Sequence, residues 1–564
     1  MRIFNGGEQK IVIIGGVALG AGVAAKARRM SETVEIVVFE KRTYVSFANC
    51  GLPYYLGDVI KDRNKLLLHT PESLKARFNI DVRILQEVIS IDRANKTVRV
   101  RNLETGEEYD ERYDKLVLGM GAKPILPKIN GHDLAGIFSV RSVPDVDQVK
   151  AWIRTKHVRQ AVVIGGGFIG LEVVENLLKL GINVTLVEKA NQVLPPFDTE
   201  MTIPLLNHLR DLGVRVVLGN GVASFIGDKE ARVVRLEDGT GIEADMFIMS
   251  LGVRPDSALA QAAGLELGVA GAVRVDNQLR TSDPDIFAGG DIAEVLYDID
   301  GQPHWVALAG APNKQARIIG ENLFGIGEQF TGAHGTSIVR VGEMVIAMAG
   351  LSEKAAQSAG LDYFVSYSTA GHHAGYYPDA KDMTIKLVVE RKSGRLLGAQ
   401  IVGRDGVDKR IDVLSVALSA KMTVVDLTRL DLAYAPPFSS AKDPVIMAGM
   451  AAENIFWGRV EAVYDVSAAN GHTVRLLDVR RTDEVLGGTL PGAVHIPLDE
   501  LRDRAPKELD RNVEWIVYCR SGQRSYFATR ILKGLGFEKV KNLSGGYIVQ
   551  QMRKEASELQ LMAK

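Results

Sequence analysis

Short, nearly continuous apolar runs alternate along this chain with glycine turns and with longer segments of helical periodicity. Ile11-Val12-Ile13-Ile14 is the first such run; it enters Gly15-Gly16 and is followed by an Ala-rich helix carrying Lys26, Arg28 and Arg29. A second strand, Val34 to Phe39, ends at Glu40. The same strand, turn, helix and strand recur at Ala161-Val162-Val163-Ile164, Gly165 to Gly170 and Val184 to Val187, ending at Glu188. Tyr113 to Pro124 reads as a strand that enters a glycine-rich turn and leaves through proline. Residues 331–455 alternate strands with a helix. A last unit begins near residue 470, where Leu476 to Arg480, Gly492 to Pro497 and Val513 to Cys519 read as strands between helices.

At 564 residues the chain is too long for one core, and a multidomain enzyme is the default class. A net charge of -1 excludes an overall basic field for nucleic acid or an anionic membrane, which leaves small molecules as partners. The two cysteines, Cys50 and Cys519, form neither a disulfide framework nor a metal-ligand set, so a cytoplasmic protein is expected. The adjacent His372 and His373 lack matching ligands, and no metal is expected. The apolar stretch after Lys10 looks superficially like a secretory signal but divides into strand, turn and helix, and no membrane span is expected.

The glycine turns carry the first chemistry. Gly165-Gly166-Gly167-Phe168-Ile169-Gly170 is a full G-x-G-x-x-G between strand and helix, and Glu188 ends the next strand, placed to hold a ribose hydroxyl pair. That carboxylate would repel a 2′-phosphate, so NADH is favoured over NADPH, with Lys189 leaving some tolerance. The earlier turn, Gly15-Gly16-Val17-Ala18-Leu19-Gly20 with Glu40, has Val17 in place of the middle glycine, so an ordinary structural turn stays open there. Two such folds imply two dinucleotides, a hydride donor and, as the first, FAD. Asp291, after Gly289-Gly290, is placed for a flavin ribityl or phosphate, or to cap the next helix.

Two thiols carry the rest. Cys50 lies in Ser46-Phe47-Ala48-Asn49-Cys50-Gly51-Leu52-Pro53, where Pro53 suits the first turn of a helix whose free amides would favour a low-pKa thiolate; a buried, inert cysteine is the alternative. Cys519 opens Cys519-Arg520-Ser521-Gly522-Gln523-Arg524 ahead of a helix over 525–535. A loop of that size can wrap its amides round one sulfur atom, with Arg520 and Arg524 adding positive potential.

In order along the chain, GGVALG…FEK, YDKLVLGMGAKP, GGGFIGLE…VEK, MSLGVRPD and TSDPDIFAGGDIAE resemble the two-dinucleotide-domain flavoprotein disulfide reductases up to about residue 455. Most of that superfamily has a C-x-x-x-x-C pair; the single cysteine of SFANCGLPYY resembles the coenzyme A disulfide reductase branch. The tail, with DVR, HIP, the Cys519 loop and Ser544-Gly545-Gly546-Tyr547, resembles a rhodanese domain. The resemblance implies an α/β chain with FAD-binding residues 1–125 and 255–330, NAD-binding residues 126–254, an α+β dimerisation domain at 331–455, a linker at 456–469 and a rhodanese domain at 470–564. FAD would be held by Gly15, Gly16, Gly20, Glu40, Lys41 and Asp291, and NADH by Gly165, Gly167, Gly170 and Glu188. Cys50 would be the redox nucleophile, with Ser46 and Asn49 lining the substrate. Gly22 would contact coenzyme A, with Lys26, Arg29 and Arg77 toward its phosphates and Asn313 by its pantetheine arm. Tyr376 and Tyr434 match tyrosines that reach the partner subunit's cysteine in a homodimer. Cys519, with Arg520, Ser521, Gly522, Gln523 and Arg524, would carry sulfane sulfur. The expected activity is NADH-driven reduction of a coenzyme A-linked persulfide or of polysulfide, releasing sulfide. Coenzyme A disulfide as main substrate, an NADH oxidase or peroxidase, and a sulfur carrier or redox sensor are the alternatives.

Overall fold

Unbroken apolar runs predict strands covered on both faces, and the first of them is the central strand of a parallel sheet. In the computed structural model, which describes residues 9–562, that sheet has five strands in the order Ile286–Ala288, Lys115–Leu118, Lys10–Ile14, Glu35–Glu40 and Asp81–Ile84. The outermost residues of the expected first and last domains, 1–8 and 563–564, lie outside the described residues. On one face Ile11, Ile13, Ile36 and Val38 pack with Leu19 and Val23 of the helix Ala18–Met30 and Ile319 of the helix Gly310–Asn322. On the other, Val12, Val37 and Phe39 meet Val88, Val98 and Val100 of a small antiparallel sheet. Both faces are therefore dry, and a strand buried twice needs no alternation. The two helices cross closely, because a Cβ on Gly22 would stand 2.9 Å from that of Ala316. Gly22 thus has a packing reason to be glycine.

The second glycine turn repeats the arrangement. Gln160–Ile164 pairs in parallel with Asn183–Val187 and Met246–Met249, and the latter with Ile137–Phe138. These elements belong to one compact unit, made of the residues up to Val187 and Asn220–Gly335.

A second compact unit comprises Glu188–Gly219 and the residues from Thr336 onward. It holds a five-stranded antiparallel sheet ordered Ser337–Val341, Met344–Gly350, Leu396–Gly403, Asp382–Glu390 and Tyr363–Gly371, backed by the helices Val407–Ser419 and Pro444–Phe456. It also holds a five-stranded parallel sheet ordered Ala462–Val463, Val540–Leu543, Glu514–Tyr518, Val474–Asp478 and Val494–His495, ringed by helices. Cys519 directly follows the middle strand of that sheet, Glu514–Tyr518. No helix among the described residues is long and apolar enough to cross a membrane.

Candidate active sites

The first glycine turn is tight for reasons of its own backbone. Gly15 has φ +97°, a Cβ there would stand 2.5 Å from the Gly119 carbonyl oxygen, and one on Gly20 would stand 1.8 Å from that of Gly15. Next to it lies a cavity of about 460 Å³ bounded by Gly15, Glu40, Lys41, Arg141 and Asp291, with Asn49 in its wall. Glu40 accepts the amides of Gly16 and Arg42, both at 3.0 Å, which aims its carboxylate along the cavity wall. Lys41 stands 3.8 Å from both Glu87 and Asp256. Burial pushes the Asp291 carboxyl up, against the opposing charge of Arg141. Arg141 has a buried Nε with no partner in the protein. A cleft with an acid for a ribose, an amide-rich turn and an unsatisfied guanidinium donor fits FAD.

The second turn makes the same bend, with Gly165 at φ +109° and a Cβ on Gly170 1.9 Å from the Gly165 oxygen. Gly167 differs, because a Cβ there would meet nothing within 4 Å. No protein atom requires glycine at that position, and the open space at the start of the helix Phe168–Lys179 has room for a pyrophosphate. Glu188, in the other unit, accepts the Ala190 amide at 2.7 Å.

Cys50 sits in a 3-10 turn, Asn49–Gly51, that runs into the helix Leu52–Leu56 with Pro53 in its first turn. Ser46 pins this segment to the first glycine turn: its φ is +43°, its amide donates to the Gly16 oxygen at 2.9 Å and its carbonyl accepts the Leu68 amide at 3.0 Å. Asn49 Oδ1 accepts the Cys50 amide at 3.1 Å and lies 3.9 Å from Sγ. The low thiol pKa expected from helix amides is corrected by the structure. Cys50 reaches solvent, yet the protein packed round its sulfur, then the charges of Glu172 and Asp291, push the thiol up. A five-residue helix has too few aligned amides to outweigh that burial and the two carboxylates.

Glu172 was not singled out by the sequence. It projects from the helix Phe168–Lys179 and accepts the Tyr54 hydroxyl at 3.3 Å. Burial, eased by that hydrogen bond and reinforced by Glu175, pushes its carboxyl up to about 7. The two helices touch closely, since a Cβ on Gly57 would stand 2.4 Å from Asn176 Oδ1.

Of the residues expected to meet coenzyme A, Lys26 is ion-paired with Glu321 at 2.8 Å, while Arg29 and Arg77 are exposed. Arg28, read only as a basic helix residue, is buried and donates to the carbonyls of Phe78 and Asn79, which ties the Lys26 helix to the end of the Arg77 helix. Asn313 is exposed and donates to the Ala309 carbonyl at 3.0 Å.

In the second unit the structure joins two residues far apart in sequence: the Tyr376 and Tyr434 hydroxyls are 2.8 Å apart, on exposed side chains. Buried Arg410 makes the junction, donating to the His372 carbonyl at 2.7 Å, to Ser439 Oγ at 3.1 Å and to Asp443 at 2.8 Å. Asp198, Glu200 and Glu353 also converge here, but the Lys386 ammonium stands among them, 2.8, 2.5 and 2.6 Å from their oxygens, in the place a cation would take.

Cys519 is fully buried. Its Sγ accepts the Gly522 amide at 3.1 Å and lies 3.5 Å from the hydroxyl of Ser525, a donor that the sequence places in the following helix and not in the loop. That helix begins at Gln523, two residues earlier than expected. Both loop arginines are already ion-paired. Arg524 forks onto Glu484 at 2.6 and 2.7 Å and holds that carboxyl down at about 2, and Arg520 reaches Asp382 at 2.6 Å. Ser521, Gly522 and Gln523 line a cavity of about 750 Å³ that the antiparallel sheet closes from the other side.

A cleft at the first glycine turn, a second glycine turn with the same bend, one cysteine held against the first turn and a second thiol in an amide loop define a pyridine-nucleotide-driven thiol oxidoreductase. The chain belongs to the pyridine nucleotide-disulphide oxidoreductase family, whose model matches residues 9–312; the family's dimerisation-domain model matches 336–445 and a rhodanese-like domain matches 462–548. Its cofactors are those of the family, FAD and NAD(H). A coenzyme A disulfide reductase of Staphylococcus aureus is 35% identical over 445 residues, 79% of this chain and 100% of that protein. Among solved structures, reduced Bacillus anthracis CoADR-RHD is 45% identical with a TM-score of 0.94, covering 97% of this chain and 98% of that one. An NAD-dependent persulfide reductase from A. fulgidus is 39% identical with a TM-score of 0.90, covering 96% and 100%. The resemblance read from the motifs is thereby borne out.

Proposed function

We propose that this chain is an NADH-dependent flavoprotein that reduces persulfide or polysulfide sulfur, carried by coenzyme A or in inorganic chains, as a cytoplasmic homodimer with its own sulfur-transferring tail. The observation that carries the reading is the presence, in one polypeptide, of a lone cysteine beside the FAD-type cleft and of a thiol held by a loop amide at Cys519. The relatives described as a coenzyme A disulfide reductase and a persulfide reductase support it.

FAD, when bound, relays the two electrons of NADH to a sulfur–sulfur bond. Gly15, Gly20, Glu40 and Asp291 would hold it, and the glycine turn at Gly165, Gly167 and Gly170 would take the nicotinamide dinucleotide. Cys50, as thiolate, attacks a persulfide R–S–SH to give Cys50–S–S–R and HS⁻. Two electrons and a proton then return Cys50 as thiolate and release the thiol RSH. In sum, the persulfide, NADH and one further proton yield the thiol, hydrogen sulfide and NAD⁺. The Asn49 side chain and amide turn orient the sulfur, and Tyr376 and Tyr434 supply phenolic protons to sulfur anions at the partner subunit's site. Cys519, as thiolate, attacks the outer sulfur of thiosulfate, breaking its S–S bond to give Cys519–S–S⁻ and sulfite, with the Gly522 amide donating to the Cys519 sulfur.

NADH oxidation with coenzyme A disulfide, coenzyme A persulfide and polysulfide in parallel, with sulfide recorded, tests this. Faster turnover on persulfide or polysulfide with sulfide formed is the expected result; preference for coenzyme A disulfide without sulfide would overturn it. Cys50→Ser is expected to abolish every reduction, and Cys519→Ser to impair only turnover with sulfane-sulfur donors. Equal loss in both assays for Cys519→Ser would contradict that division.

A further inference from the structure

The sulfur-carrying loop of the tail is gripped from outside its own sheet. The strand Tyr363–Gly371 runs past it, with the Tyr367 amide donating to Ser544 Oγ at 3.2 Å. A Cβ on Gly545 would stand 2.9 Å from the Cβ of Tyr367, and one on Gly546 would stand 2.4 Å from the Cys519 carbonyl oxygen. The Tyr547 amide donates to that same oxygen at 2.8 Å. Two glycines with no room for a side chain thus connect Tyr367 to the backbone of Cys519. A shift of one must be felt by the other.

Tyr367 is itself held firmly. Its buried phenol donates to Glu200 at 2.7 Å and accepts from Arg553 at 2.9 Å, and Arg553 lies on the tail's last helix, Gly546–Met562, 3.7 Å from Glu353. Glu200 and Glu353, with Asp198, enclose the Lys386 ammonium. Three carboxylates therefore share two cations, of which the tail provides one. A buried cluster of this kind fixes geometry because any loosening leaves a charge uncompensated. Outside the cluster, Asp382 begins the neighbouring strand and holds Arg520, the residue after Cys519.

We propose that Tyr367 and Arg553 are positioning residues for Cys519, holding the back of its loop against the antiparallel sheet, and that Asp382 holds the Arg520 charge away from an incoming anionic sulfur donor. The inference rests on the reading of Cys519 as a sulfur carrier. It makes the dimerisation domain a working wall of the rhodanese site and explains why the loop's arginine is paired in the resting protein.

The test uses full-length holoenzyme, the transfer of sulfur from thiosulfate to cyanide, and hydrogen exchange of the peptide covering residues 519–525. Tyr367→Phe and Arg553→Met are expected to speed exchange in that peptide and to lower kcat for transfer about tenfold, with KM for thiosulfate within about twofold of wild type. Arg553→Lys restores most of the loss, and NADH-driven reduction of coenzyme A disulfide, which uses Cys50, stays unchanged. Asp382→Asn leaves exchange and kcat unchanged but lowers KM for thiosulfate, because Arg520 is released to the anion. Unchanged exchange and kcat in both Tyr367→Phe and Arg553→Met, or an unchanged or raised KM in Asp382→Asn, would overturn the proposal. Should Arg553→Met fail to fold, Tyr367→Phe decides, since it leaves every charge in place. Transfer that persists in Cys519→Ser would sink the carrier reading instead, and the exchange measurement would still decide whether the loop is held as described.

Discussion

Cys50 shows how a thiol is governed by neighbours that its own motif does not contain. Its thiol is pushed up first by the protein around it and next by the Glu172 charge. Glu172 itself titrates near 7, so the two groups are coupled: a proton on the carboxyl removes the charge that holds the thiol up. Glu172→Gln is therefore expected to lower the apparent pKa of Cys50 and speed its alkylation severalfold near pH 8, with little change at pH 6. Rates of iodoacetamide labelling mapped to Cys50 across this range measure it. Stability should follow the same group. A carboxyl whose folded pKa is raised contributes fully below its unfolded value and loses that contribution as pH rises through about 7. Thermal unfolding should then find Glu172→Gln more stable than the wild type above pH 7 and equal to it below about pH 4.

At the scale of elements, the glycine turns and the buried arginines perform different tasks. The turns at Gly15 and Gly165 are dictated by backbone closeness, whereas the Gly167 position is open on the protein side. Gly167→Ala should leave the unfolding temperature and flavin content unchanged and raise KM for NADH about tenfold, because the added methyl group would meet the dinucleotide proposed there. Arg410 has the opposite character. It joins the His372 and Ser439 segments, so Arg410→Met is expected to cost about 3–5 kcal/mol through the stranded Asp443 charge, measurable by urea unfolding. Tyr376→Phe, in contrast, removes an exposed hydroxyl pair and should leave stability within about 0.5 kcal/mol of wild type while turnover falls. The tyrosine motifs could be picked out only by resemblance, because nothing local in either segment points to the other. Their meeting is the work of Arg410, a residue that reads in sequence as one more surface charge.

Across the whole molecule, what was legible follows from the range of the forces involved. Strand, turn and helix order, the two dinucleotide folds, the lone Cys50 and the Cys519 loop are written in neighbouring residues, since a glycine turn, a helix start and an amide loop are each closed within about ten positions. The sequence by itself therefore determined the fold class, the family and the two thiols. Electrostatics and packing between distant segments were decided only by the tertiary structure. The raised Cys50 thiol, the Glu172 and Tyr54 contact, the capture of Arg520 by Asp382 and of Lys26 by Glu321, and the buried Lys386 cluster all join residues from separate elements. A charge's effect depends on what surrounds it in three dimensions, and periodicity along a chain records which face is covered but never which partner covers it.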